Sequence, residues 1–129
     1  MRKEPFWLEA EELMAIHTEL LARFGGLDGL RDPGRLDAAM DRPKNLFAYE
    51  EPDIFDLAAS YAHGIVVNHP FNDGNKRTGF MAAYTFLGIN GQQLTATEEA
   101  AVIMTLALAS TEMSEKAYAR WLADSSEPR

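Results

Sequence analysis

Nine consecutive residues near the middle of the chain, 69–77, carry side chains suited to proton transfer, metal binding and phosphate binding. His69 opens the run, and a neutral imidazole is the natural base for a serine or threonine hydroxyl at cytoplasmic pH. Asp73 supplies a carboxylate that could hold Mg²⁺ beside a nucleotide, while Lys76 and Arg77 supply adjacent positive charges. Phosphoryl transfer requires these groups, so the segment is the candidate catalytic site.

The same segment is expected to open a helix at Asn75. The first backbone N–H groups of a helix have no intrahelical acceptor, and the helix dipole adds partial positive charge there. Gly74 lets the backbone turn and approach a ligand closely, so Gly74, Asn75 and Lys76 can present successive N–H groups to phosphate oxygens. Phe71 is expected to anchor the loop against the core, and Pro70 to fix its entry angle.

Each of these residues alone also has an ordinary structural interpretation. A histidine at a helix end is often a capping or surface residue, and Asp73 could simply pair with the two cations beside it. Their convergence at one helix N-terminus favours the functional interpretation. His17 and His63 lie inside predicted helices without the i, i+4 spacing of a zinc helix, so both are interpreted as structural. Arg42 or Lys44 could reach the site from a flexible segment.

The periodicity of the apolar residues predicts six helices that must position this loop. They span about 9–24, 32 to just before Pro43, 53–68, 75–90, 95 or 97 to about 108, and 114–123. Residues 44–52 are interpreted as a mobile loop or short flap, and residues 124–129 as a frayed tail. Because no segment shows period-two alternation, we predict an all-α fold, a compact bundle with the candidate loop between its two central helices.

Composition narrows the class of protein further. A chain of 129 residues with 47% hydrophobic residues is expected to form a single domain over 1–129 with a sizeable core. The net charge of −8 argues against direct nucleic-acid binding, because a phosphate backbone is bound by basic patches. No apolar run reaches the roughly 20 residues of a membrane helix, and there is no cysteine for a disulfide or zinc site. We therefore expect a cytoplasmic protein without a membrane partner.

The run His-Pro-Phe-Asn-Asp-Gly-Asn-Lys-Arg at 69–77 resembles the signature loop of the Fic superfamily, specifically its death-on-curing (Doc) branch. The general loop reads His, any residue, Phe, any residue, an acidic residue, Gly, Asn, Gly, Arg, and most members transfer AMP to a protein hydroxyl. The Doc branch has lysine in place of the second glycine, as Lys76 here. Many Fic members also have an arginine at the position of Phe80. The similarity extends from Ile16 to Trp121 and implies a Fic-like helical fold.

The resemblance implies a toxin that acts as a protein kinase with ATP and Mg²⁺. His69 would activate the acceptor hydroxyl, and Asp73 would hold the metal. The phosphates would be bound by Gly74, Asn75, Lys76 and Arg77. The expected target is a serine or threonine of a translation factor, which is elongation factor Tu for the type member, so that translation stops.

Such toxins are restrained by a cognate antitoxin, and the sequence favours a separate partner chain here. The inhibitory motif of many Fic enzymes is approached by Thr95 with Glu99 and by Thr111 with Glu115, but neither pair completes it. Two other functions are kept as alternatives. One is AMP transfer, which the same loop chemistry would suit, and the other is a non-catalytic module that binds phosphate or an acidic peptide.

Overall fold

A computed structural model describes residues 3–129 and contains six helices and one small sheet. The elements follow one another as α1 (Ala10–Phe24), α2 (Pro33–Tyr49), α3 (Ile54–Asn68), α4 (Asn75–Ile89), β1 (Gln92–Leu94), α5 (Glu98–Ala109), α6 (Glu115–Asp124) and β2 (Ser126–Pro128). The predicted all-α class and the number of helices are therefore confirmed. None of the helices in the described part of the chain has the length and apolar character that crossing a bilayer requires.

The third helix, α3, is the centre of the molecule and packs against α2, α4, α5 and α6. Apolar side chains surround it on every side, so most of its length is buried. Gly79 allows α4 to lie close against it, because a β-carbon at this position would lie 2.5 Å from Val66 Cγ1. Since α3 and α4 are held together along their length, the loop that joins them has a rigid support at each end.

The second helix does not end before Pro43, as the sequence predicted, but continues to Tyr49. Asp32 caps its first turn, accepting hydrogen bonds from the N–H groups of Gly34 and Arg35. A buried stripe then runs through Leu36, Ala39, Met40 and Pro43. Burial of this stripe, including the proline ring itself, outweighs the single backbone hydrogen bond that proline removes.

The interpretation of residues 44–52 as a mobile loop or short flap is therefore wrong. Most of this segment is helical, and it leads directly to Asp53, the N-cap of α3. His69 follows the other end of α3, which is 15 residues long, or about 22 Å at 1.5 Å per residue. The segment therefore lies far from the candidate loop.

The end of the chain is paired rather than frayed, which also corrects the sequence prediction. Strand β2 runs antiparallel to β1, with Gln93 opposite Glu127 and Leu94 opposite Ser126. The Thr95 N–H donates to the Ser125 carbonyl at 2.7 Å and extends the pairing. Strands of three residues are too short to show period-two alternation, so the pattern of apolar residues gave no sign of them.

Candidate active site

His69 ends α3 in a left-handed backbone conformation, with φ 52° and ψ 61°. This region is costly for a residue with a β-carbon, and such residues are concentrated at functional sites. The half-buried imidazole places Nδ1 3.1 Å from the Val67 carbonyl oxygen. Because a carbonyl only accepts hydrogen bonds, this contact assigns the proton of the neutral ring to Nδ1. Nε2 then carries the free lone pair, which is the state a general base requires.

Helix α4 begins directly after Gly74, whose φ of 75° favours glycine at this position. Its first internal hydrogen bond runs from the Thr78 N–H to the Gly74 carbonyl at 3.0 Å. The N–H groups of residues 75–77 precede that bond and have no acceptor within the helix. Gly74 provides no side-chain cap for them. The N–H groups of Asn75 and Lys76 therefore remain candidates for binding an anion. The Gly74 N–H, which the sequence placed in the same set, instead donates to Asp73 Oδ1.

The side chain of Asn75 is used inside the loop. It is 8% exposed, its Oδ1 accepts from the Phe71 N–H at 3.1 Å, and its Nδ2 donates to the Phe71 carbonyl at 3.0 Å. Any contact of Asn75 with a phosphate would therefore come from its backbone N–H. The side chain instead fixes the path of the loop between the two central helices.

His17 supports the loop from α1. Its ring stacks on the buried ring of Phe71, with centroids 3.8 Å apart and planes 10° from parallel. Its Nε2 lies 2.8 Å from the Asp73 carbonyl, which can only accept, so His17 donates this hydrogen bond. The structural interpretation of His17 agrees with this buried position, and Phe71 anchors the loop as expected.

The connection between α1 and α2 runs alongside the loop, a relation that the sequence analysis missed. The Asn72 N–H donates to the Gly29 carbonyl, and the Asn72 side chain donates to the Asp28 carbonyl. On the other side, the N–H groups of Arg31 and Asp32 donate to the Pro70 carbonyl. Three glycines within five residues, 25–29, were the available signal, because clustered glycines often mark a close approach between backbones.

Asp73 is exposed, and both of its carboxylate oxygens accept backbone hydrogen bonds. Oδ2 accepts from the Leu27 N–H at 3.2 Å, and Oδ1 accepts from the Gly74 N–H at 2.9 Å. These two bonds, and then the positive charge of Arg77, lower the pKa of Asp73 below its ordinary value. The side chain is thus held ionised in one orientation, ready to attract a cation.

The donor set fits Mg²⁺ that arrives with a nucleotide. Residues 3–129 contain no group of three or more histidine or acidic side chains that could form a metal cage. Mg²⁺ commonly keeps several waters and binds through one or two carboxylates together with substrate phosphates. The single carboxylate of Asp73, next to the N-terminus of α4, meets that requirement.

An open groove of about 510 Å³ brings together His69 and Lys76. Its opposite wall comes from α5 and the turn that follows, and consists of Ile103, Leu106, Ala107, Ala109, Ser110 and Glu112. Neither Asp73 nor Arg77 is among the residues that line this groove. The Arg77 guanidinium carbon lies 4.3 Å from the ring centre of Phe24, at the end of α1. Successive helical residues point about 100° apart, so Lys76 and Arg77 lie on two sides of the α4 N-terminus.

Arg42 and Lys44, which the sequence placed within possible reach of the site, form ion pairs elsewhere. Arg42 contacts Glu115 at 2.5 Å, and Lys44 contacts Glu9 at 3.6 Å. His63 lies 3.6 Å from the same Glu115 carboxylate. Arg42 and His63 thus connect α2 and α3 to α6, and Lys44 connects α2 to the start of α1. These contacts agree with a structural role.

The chain is similar to one protein family and to two characterised relatives. The model of the Fic/DOC family matches residues 7–87. The protein kinase doc of Escherichia phage P1 is 43% identical over 88 residues, which are 67% of this chain and 70% of that protein. The toxin Doc of Mycolicibacterium smegmatis is 48% identical over 77 residues, which are 57% of this chain and 58% of that protein.

Proposed function

The chain belongs to the Fic/DOC family, and on that premise we propose that it is a toxin that phosphorylates a protein. In this proposal it transfers the γ-phosphoryl group of ATP to a serine or threonine hydroxyl of a translation factor, with elongation factor Tu as the expected target. The observation that carries the proposal is the groove that His69 and Lys76 share at the N-terminus of α4. The relatives named as a protein kinase and as a toxin support it.

The triphosphate would lie against the first turn of α4. The N–H groups of residues 75–77 would donate to its oxygens, and the side chains of Lys76 and Arg77 would neutralise its charge from two sides. Mg²⁺ bound with the nucleotide would be held by Asp73 and would withdraw negative charge from the phosphate oxygens. Asn75 and His17 would keep the loop in the shape that makes these contacts possible.

The acceptor hydroxyl would enter through the groove and meet His69. Nε2 of the imidazole removes the hydroxyl proton while the hydroxyl oxygen forms a bond to the γ-phosphorus. The bond between that phosphorus and the β,γ-bridging oxygen breaks, and ADP leaves with the electron pair. The wall of α5 would contact the polypeptide around the acceptor.

Phe80 favours transfer of the γ-phosphoryl group over transfer of AMP. Its ring packs near Tyr84 and Trp121, with centroids 6.3 Å and 6.5 Å away. The position at which many Fic members have a second arginine is thus an apolar cluster. This leaves Lys76 and Arg77 as the cations of the loop, which is the pattern of the Doc branch.

We also propose that a cognate antitoxin restrains the protein. Of the two incomplete inhibitory motifs, the one that contains Glu115 is engaged elsewhere, because this carboxylate is paired with Arg42 rather than with a cation of the loop. The relative named as a toxin also supports restraint by a separate chain.

The test compares ATP labelled at the γ-phosphate with ATP labelled at the α-phosphate, using purified elongation factor Tu and a cell extract as acceptors. We expect γ-label on protein, and a loss of about 10²- to 10⁴-fold with His69→Ala. His63→Gln is the matched control, because His63 lies within α3 and does not line the groove, and this variant should transfer normally. Transfer of α-label would instead establish AMP transfer. ATP binding without any transfer would establish a non-catalytic module.

A further inference from the structure

The last residue of α1, Phe24, is an aromatic residue that contributes little to the core. Its side chain is 52% exposed, and it does not belong to the hydrophobic cluster formed by the described residues. Its ring faces a functional group instead, since the Arg77 guanidinium carbon lies 4.3 Å from the ring centre. A cation at this distance from an aromatic face is attracted by the electrons of the ring.

This contact leaves Arg77 able to bind a ligand. None of the ion pairs found among residues 3–129 involves Arg77. A carboxylate partner would occupy the N–H donors of the guanidinium, whereas an aromatic ring offers no lone pair to accept them. The ring of Phe24 therefore restricts where the guanidinium lies without competing for its donors.

The same end of α1 also orients Asp73. Two residues after Phe24, Gly26 passes so close that a β-carbon there would lie 2.9 Å from Asp73 Oδ2. The next N–H, of Leu27, donates to that oxygen. Residues 24–27 thus contact the proposed metal ligand and one of the two proposed phosphate-binding cations.

We propose that Phe24 is a positioning residue that holds the Arg77 guanidinium in place for the triphosphate. The inference rests on the proposed function, because it assigns a role to Arg77 in nucleotide binding. An arginine side chain is long and flexible, and fixing it on a phosphate costs rotamer entropy. Contact with Phe24 removes part of that freedom before the nucleotide binds. The affinity for ATP then depends on a ring that need not touch the nucleotide.

A double-mutant cycle tests this role, with the wild type, Phe24→Leu, Arg77→Ala and the double variant. The dissociation constant of Mg·ATP is measured for each by titration, and the γ-phosphoryl transfer rate is measured alongside. We expect Phe24→Leu to weaken ATP binding about two- to five-fold, the equivalent of about 0.5–1 kcal/mol for an exposed cation–π contact. In the Arg77→Ala background the same change should have no effect. Phe24→Tyr keeps an aromatic ring at this position and should bind ATP as tightly as the wild type.

Tyr49→Leu is the matched control, because Tyr49 is also an exposed aromatic at the last position of a helix. It lies at the end of α2, away from the loop, and should bind ATP as the wild type does. Equal weakening by Phe24→Leu with and without Arg77 would overturn the inference and leave the proposed function standing. A wild-type protein that binds no ATP would overturn both.

Discussion

Two neighbouring glycines allow the orientation of Asp73 to be tested without altering Asp73 itself. Gly25 and Gly26 both have positive φ, 78° and 124°, so alanine is strained at either position by about 1–3 kcal/mol. The surroundings differ. A β-carbon at residue 25 meets no atom within 4 Å, whereas one at residue 26 lies 2.9 Å from Asp73 Oδ2 and 3.0 Å from Leu21 Cδ2. Gly26→Ala therefore displaces the carboxylate, and Gly25→Ala does not.

The expected loss follows from the size of that displacement. Contacts of a β-carbon become ordinary at 3.4 Å, so Asp73 must retreat by roughly 0.5 Å if it alone yields. A misplacement of about 1 Å at a reacting centre costs up to about 100-fold in rate. A displacement half as large, about 0.5 Å, corresponds to a loss of about tenfold in rate. The retreat also weakens the hydrogen bond from the Leu27 N–H that helps to hold Asp73 ionised.

The assay measures initial rates of γ-phosphoryl transfer over a range of Mg²⁺ concentrations, corrected for the folded fraction of each variant. We expect Gly26→Ala to be about tenfold slower than Gly25→Ala and to require more Mg²⁺ for half-maximal rate. Urea unfolding of both variants supplies the correction. If the two variants have the same rate and the same Mg²⁺ requirement, the carboxylate of Asp73 does not act at the place that its hydrogen bonds define.

Three other changes test the loop, the fold and the groove. Asn75→Ala leaves two buried backbone groups of the loop unpaired and should lower the free energy of unfolding in urea by about 2–5 kcal/mol. A loss under 1 kcal/mol would contradict this role of the Asn75 side chain. Burial, followed by the charge of Arg42, lowers the pKa of His63. Because the unfolded chain then binds the proton more readily, the free energy of unfolding of the wild type should fall relative to that of His63→Gln as pH drops below 6.5. A constant difference between the two proteins from pH 7 to 5 would refute this. Ile103→Asp should reduce transfer to protein more than ATP binding, whereas Val102→Asp, equally exposed but outside the groove wall, should affect neither.

Most of the fold could be predicted because local signals and packing agree in this chain. Thr97, one of the two expected starts of the fifth helix, caps α5, and Ser114, the expected start of the last helix, caps α6. Each accepts a hydrogen bond from an N–H three residues later. The beginning of α4 at Asn75 was also predicted, since Gly74 and the cluster of candidate site residues marked it. In these places the residue type decides the local backbone before any distant contact is made.

The features that were missed depend on contacts between distant parts of the chain. Pro43 continues α2 because its ring is buried in the core, which the local rule for proline does not consider. The turn at 25–29 interacts with the loop across distant sequence, through bonds such as that between the Asn72 side chain and the Asp28 carbonyl. Gly25 and Gly26 mark the end of a helix in the sequence, but the segment that their turn contacts depends on how α1 packs against α4.

The division of the loop between two sides of α4 bears on which phosphoryl group is transferred. Lys76 lines the groove with His69, while Arg77 lies over Phe24 at the end of α1. Phe80 lies one helical turn after Lys76, on the same face, and belongs to an aromatic cluster. Lys76 is therefore the last cation on this face of α4, because residues 78–89 contain no lysine or arginine. No cation further along the helix could hold additional phosphates. A triphosphate bound between Lys76 and Arg77 would then have its terminal phosphoryl group next to the base. This arrangement supports transfer of the γ-phosphoryl group, as proposed.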